Sequence, residues 1–196
     1  MVEERAFTAM VGALPAAGGG LAVSERGDLG IATIMARASS TAALAQRVAE
    51  RFGIALIDGP ILSGAGAVRF AGTGPGSWLS FCEGADPFWA CSMAVQLDGV
   101  ASVFDQSSGY AVLRLGGAEA MPMLQSGAFI DLHADAFPVG AVAVTVIAHV
   151  GAILIRVGEA QFDVAVFRSF AGSFWHWLAT SAAARGVPLH RFSEDG

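Results

Sequence analysis

Between Leu29 and Asp105 the apolar pattern switches from a strand rhythm to a helical one and back, twice over, and that order constrains the fold more than any single residue. Leu29 to Arg37, carrying Ile31, Thr33 and Ile34, reads as a strand, and Ser39-Ser40 then offers a helix N-cap. Leu44, Val48 and Phe52 recur at every fourth position while Arg47, Glu50 and Arg51 face elsewhere, and Gly53 supplies a C-terminal stop. Ala67 to Ala71 reads as a strand, Gly72-Thr73-Gly74-Pro75-Gly76 as a turn, and Ser77 to Cys82 as the return strand. A helix from about Asp86 to Leu97 and a strand from Val100 to Asp105 complete a βαββαβ order, the ferredoxin-like split unit.

The second half rhymes with the first. Tyr110 to Leu115 reads as a strand and Ala118 to Ser126 as a short helix that Pro122 weakens, because proline inside a helix removes a hydrogen bond. Val142 to Val150 and Ile153 to Val157 read as strands hinged at Gly151, with Val142, Val144 and Val146 on one side and Thr145 and His149 on the other. Phe162 to Phe167 is a further strand, and Ser169 to Ala184 a long helix. The expected fold class is α+β, two ferredoxin-like plaits in tandem. Residues 1–26 are expected to be a flexible N-terminal arm, 27–105 the first plait, 106–190 the second and 191–196 a C-terminal tail.

Composition removes several chemistries. All 11 basic residues are Arg, so a lysine Schiff base, a pyridoxal-phosphate lysine and a Walker-A phosphate loop are excluded. Without any Asn, no glycosylation sequon and no Cys-His-Asn triad can form. The arginines are scattered and the net charge is -6, which speaks against nucleic acid, whose binding depends on clustered cations. Cys82 and Cys91, the only thiols, are too few for a disulfide framework or a structural zinc site, so a reducing, cytoplasmic setting is expected. The apolar stretch Ala6 to Ala17 follows Glu3-Glu4-Arg5 and is interrupted by Pro15 and Gly18-Gly19-Gly20. Neither a leader nor a membrane span is expected there.

Each candidate for chemistry has a plainer reading that fits better. The glycine run at Gly72 to Gly76 lies between two strands, so no helix N-terminus aims at a phosphate. Asp131-Leu132-His133-Ala134-Asp135 lacks metal-ligand spacing and suits a solvated loop, as Asp105-Gln106-Ser107-Ser108-Gly109 suits a turn. Neither cysteine has a neighbouring base. The last helix says more: a 100° projection puts Phe170, Phe174, Trp177, Leu178 and Ser181 on one face, Trp175 on the flank and His176 opposite. Trp175 and His176, with Phe88 and Trp89 on the middle helix, are therefore the candidate partner-interface residues, since a rigid aromatic anchors a contact at little entropic cost.

Phe70-Ala71-Gly72-Thr73-Gly74-Pro75-Gly76-Ser77-Trp78-Leu79 resembles the GP-x-x-W-L hairpin of folate-binding proteins related to the glycine-cleavage aminomethyltransferase. Four further stretches resemble the gamma subunit of heterotetrameric sarcosine oxidase: Asp105 to Leu115, Ile130-Asp131-Leu132-His133, Phe137-Pro138-Val139-Gly140, and Arg168 to Leu178. They occur in that family's order, and the match runs from about Leu29 to Gly186; Gly116-Gly117 departs from the Gly-Pro of relatives. The resemblance implies an aminomethyltransferase folate-domain-like fold and a complex that oxidatively demethylates sarcosine to glycine. In it the alpha, beta and delta subunits hold FAD, FMN, NAD, tetrahydrofolate and zinc, and the gamma subunit has no cofactor and no assigned catalytic residue. Two other readings stay open: a free-standing folate or small-ligand binder with Arg114 or Arg156 clamping a carboxylate, and a gamma-type subunit of a related enzyme such as methylglutamate dehydrogenase.

Overall fold

The computed structural model describes residues 7–15, 20–64 and 66–192. In chain order the elements are α1 (Thr8–Gly12), β1 (Leu21–Glu25), β2 (Leu29–Ala36), α2 (Thr41–Phe52), β3 (Leu62–Ser63), β4 (Val68–Gly74), β5 (Ser77–Glu83), α3 (Trp89–Gln96) and β6 (Ala101–Asp105). They continue with β7 (Tyr110–Gly116), α4 (Ala120–Gln125), β8 (Val142–Ile147), β9 (Val150–Gly158), β10 (Gln161–Phe167), α5 (Ala171–Ala184) and β11 (Leu189–Arg191). The chain divides into two compact units. One comprises Asp28–Gly109 with Gly140–Val142, and the other Met1–Gly27, Tyr110–Val139 and Ala143–Gly196.

The first unit is a βαββαβ plait. Its sheet runs β3-β4-β5-β2-β6, antiparallel throughout, with β5 between β2 and β4 as the split unit requires. The residues on one sheet face explain why both helices settle there. Ile34, Phe70 and Trp78 form a cluster with Leu44 and Val48 of α2 and with Met93 and Leu97 beside α3. Each such side chain contributes about 1.5–3 kcal/mol by leaving water. Gly53 ends α2 in the left-handed region at φ 67°, where glycine carries no Cβ penalty. Residues 53–61 then fold back over the β4–β5 hairpin, held by hydrogen bonds to it and to β3. Trp78 Nε1 donates to the Ile57 carbonyl (2.9 Å), Gly76 N–H to Asp58 Oδ1 (2.8 Å), and Ile57 N–H to Ser63 Oγ (3.0 Å). The buried indole thus has its partner, as a buried N–H must. β4 extends to Gly74, so the turn is Pro75-Gly76 alone, and a register shift between Gly72 and Gly74 marks a bulge.

The second unit repeats this plan with one exchange. Its sheet runs β11-β1-β7-β10-β9-β8, with α4 and α5 packed on β10. β7, β9 and β10 take the places of β2, β4 and β5, and β8 the place of β3. The place of β6 is filled by β1, antiparallel to β7 with Val23 opposite Leu115, and β11 lies parallel beyond it. The expected N-terminal arm is thereby corrected: residues 21–25 are a sheet strand, with Leu21 and Val23 fully buried, because a plait with no strand beside β7 would leave an open ladder. Residues 1–6 and 16–19 of that expected arm lie outside the described residues, as do residues 193–196 of the expected tail. Leu189–Arg191, at the junction of second plait and tail, is paired with β1.

The hinge expected at Gly151 sits instead at Ala148 and His149, between β8 and β9, with φ of 49° and 68°. Both central residues at positive φ make the mirror-image turn that suits hairpin twist, normally written Asn-Gly. A chain without Asn fills it with Ala-His. His149 is exposed, so His149→Gly removes strain and no packing; we expect stability to rise by about 1 kcal/mol, read as a thermal midpoint raised by roughly 2–4 °C. The three valines on one side of β8 do not share one environment: Val142 is buried, but Val144 and Val146 are 61% and 40% exposed.

Candidate docking surfaces and the fate of the polar residues

The polar clusters resolve into local structure. Asp105 Oδ1 accepts from Ser107 N–H (2.9 Å), and Ser107 Oγ accepts from Ile31 N–H (3.0 Å), pinning the turn to β2. Asp131 Oδ1 accepts from His133 N–H (2.9 Å), and His133 Nδ1 lies 3.5 Å from Asp135 on an exposed loop. Among the described residues no group of three His, Cys, Asp or Glu side chains is placed to hold a metal ion. No helix among them is long and apolar enough to cross a membrane.

The two arginines weighed as carboxylate clamps are engaged within the second unit. Arg114 forms a bidentate pair across β7 and β10, Nε to Asp163 Oδ1 (2.7 Å) and Nη2 to Asp163 Oδ2 (2.8 Å), with Arg26 3.9 Å from the same carboxylate. Arg156 is buried, with Nη1 donating to the Phe137 carbonyl (2.9 Å), Nη2 to the Glu159 carbonyl, and its guanidinium 5.4 Å from the Phe162 ring centre. Such forks suit arginine rather than lysine. This pairing is not visible in one-dimensional spacing. Once β7 and β10 are placed side by side, however, Arg114 and Asp163 fall in register.

The thiols differ sharply. Cys82 is buried, and burial, with the carboxylates of Asp86 and Glu83 adding to it, pushes its ionisation up; Cys91 is exposed. Because the thiolate is the reactive form, a disulfide reagent at neutral pH should label Cys91 at least about tenfold faster than Cys82. Two equally fast thiols would contradict this placement.

The candidate interface residues separate by burial. In the first unit Phe88 is 71% exposed, whereas Trp89 turns inward against Gly30, where any Cβ would fall 3.0 Å from the indole. α3 itself carries no charge, and its outer side continues from Phe88 through exposed Cys91 to Val95, 78% exposed. In the second unit Trp175 is half-buried with its ring 6.5 Å from that of Phe7, and His176 is exposed. Phe174 and Leu178 are buried as the helical projection expects. Phe170 is 48% exposed because it lies in a 3-10 turn, Arg168–Phe170, where the projection does not hold. Sequence reasoning missed Phe104 and Met35, 55% and 49% exposed on adjacent strands, because alternation alone does not say which sheet face stays open.

Two plaits, each with a split βαββ core, define the fold class of aminomethyltransferase-type proteins. The glycine cleavage system aminomethyltransferase T from Bartonella henselae matches it with a TM-score of 0.60 at 10% identity, over 90% of this chain and 48% of that one. A chain of the heterotetrameric sarcosine oxidase from Corynebacterium sp. U-96, in complex with pyrrole 2-carboxylate, matches with a TM-score of 0.81 at 22% identity, over 94% of this chain and 96% of that one. No curated protein matches in sequence. The model of the sarcosine oxidase, gamma subunit family matches residues 36–184, and the chain belongs to that family.

Proposed function

We propose that this chain is the non-catalytic gamma subunit of a heterotetrameric sarcosine oxidase that oxidatively demethylates sarcosine to glycine, in the cytoplasm. Its role is to support assembly and stability of alpha, beta and delta subunits, which hold FAD, FMN, NAD, tetrahydrofolate and zinc. The observation that carries this reading is the family match over residues 36–184. The pairing of Arg114 with Asp163 and the internal bonds of Arg156 favour it over a free-standing folate binder that clamps a carboxylate with one of those two arginines. The uncharged outer side of α3 and the aromatics of α5 supply contact area of the kind partners cover.

Co-expression with alpha, beta and delta subunits of a sarcosine oxidase is the test. The chain should co-purify with them, and its omission should lower soluble complex and sarcosine turnover at least tenfold. Phe88→Asp should weaken association about tenfold while leaving the isolated chain's melting unchanged, since Phe88 packs against little of its own fold. Turnover or saturable folate binding by the purified chain alone would overturn the reading.

A further inference from the structure

A sheet edge presents a row of main-chain donors and acceptors, and natural proteins cover such edges or blunt them with proline, lysine or bulges. Among the described residues the edges at β11, β8 and β3 are each met, at one end or in part, within their own unit. Pro15 O accepts from Arg191 N–H at β11 (2.8 Å), Gly127 O accepts from Ala148 N–H at the end of β8 (3.0 Å), and residues 140–142 pair with residues 60–62 beside β3.

At the fourth edge, β6, the outward Ala101 N–H donates to the Leu97 carbonyl (3.1 Å), and the strand beyond it stays open. Gln106 N–H donates to Ile31 O (2.7 Å) and Arg37 N–H to Val100 O (3.0 Å), so the antiparallel register turns the main-chain groups of Ser102 and Phe104 toward β2 and those of Val103 and Asp105 away from it. Among the described residues no main-chain bond reaches the outward groups of Val103 and Asp105. The strand contains no proline and no lysine, and its register with β2 has no bulge. On the face shared with β2, Phe104 and Met35 stay about half exposed. The exposed charges at its two ends are Asp98, Asp105 and Arg37, an acidic excess.

We propose that the β6 edge receives an extended segment of a companion subunit as a sixth strand, with apolar side chains over Phe104 and Met35 and basic side chains toward Asp98 and Asp105. Main-chain pairing supplies the contact and the alternating side chains its selectivity. The second unit already shows the arrangement: there β11 adds in parallel beyond β1, which holds the place β6 holds in the first unit. This inference rests on the reading that the chain works inside a larger assembly, and the experiment separates the two.

Hydrogen exchange resolved to single amides, on the isolated chain and on the co-purified complex, should show the Val103 and Asp105 amides at least tenfold slower in the complex. Those of Ser102 and Phe104, already bonded within the sheet, should change little. With Val103→Ala as the control for the packing that Val103 gives the core, Val103→Pro removes an outward donor from an edge strand. It should leave the circular dichroism of the isolated chain unchanged and reduce recovery of complex at least tenfold. An intact complex with unchanged Val103 and Asp105 exchange, or full recovery with Val103→Pro, overturns the edge and leaves the assembly reading standing. Absence of any complex overturns both. Protection that appears in the isolated chain and grows with its concentration identifies a second copy as the occupant and overturns the companion segment.

Discussion

Gly72→Ala should destabilise the chain by at least about 3 kcal/mol, a fall of roughly 6–12 °C in thermal midpoint for a protein of this size, or prevent folding altogether. A Cβ built on Gly72 would lie 1.8 Å from the Gly59 carbonyl oxygen and 2.9 Å from its carbon, both backbone atoms with no rotamer to yield. Only displacement of the crossing segment relieves the clash. That segment is the one that accepts from Trp78 Nε1 at Ile57, accepts from Gly76 N–H at Asp58, and accepts from Gly72 N–H at Ile61 (3.1 Å). The same substitution at Gly74, with nothing within 4 Å of the added atom, is the control and should change the midpoint by little. Equal melting of the two variants would refute the close-approach argument.

The second large effect lies at Asp163. Its side chain is 6% exposed, and those of Arg114 and Arg26 are 16% and 9% exposed. Removing one member of a buried pair leaves an uncompensated charge, which typically costs about 3–5 kcal/mol, so Asp163→Ala should unfold at markedly lower denaturant concentration than the parent. Arg114→Met should be milder, because Arg26 still faces the carboxylate. Joining Asp163→Leu with Arg114→Met should restore part of the loss, since a matched apolar pair has no desolvated charge to neutralise. Denaturant titrations of the single and double variants give the coupling directly. Strict additivity would show that the short distances carry no energetic interaction.

The first plait was legible because its signals are local. Leu44, Val48 and Phe52 mark a helix face, Gly53 its end, and the glycine-proline pair a turn. The second plait was only half legible, because β1 and β11 are five and three residues long and gain stability only through pairing with distant strands. Leu21 and Val23 look like any short apolar stretch until Leu115 stands opposite them. The glycine-rich pattern puts Gly72 in a turn, whereas its role is to let another backbone pass, which no local pattern encodes. At the candidate surfaces, aromatic residues could be picked from sequence but not sorted: Phe88 and Trp89 are neighbours in the chain, yet only the first faces outward, since α3 rotates the indole onto Gly30.

The placement of β1 bears on how the polypeptide is made. Residues 28–109 reach almost their full set of contacts once they leave the ribosome, but β1 must wait for β7, whose Leu115 is translated about 90 residues after Val23. At ~5–20 residues per second that is an interval of roughly 5–20 seconds in which an apolar strand has no mate. Slow codons or a bulky upstream fusion would lengthen or obstruct that wait. The yield of native protein should therefore respond to translation speed between Val23 and Leu115 more than to equal changes after Leu115.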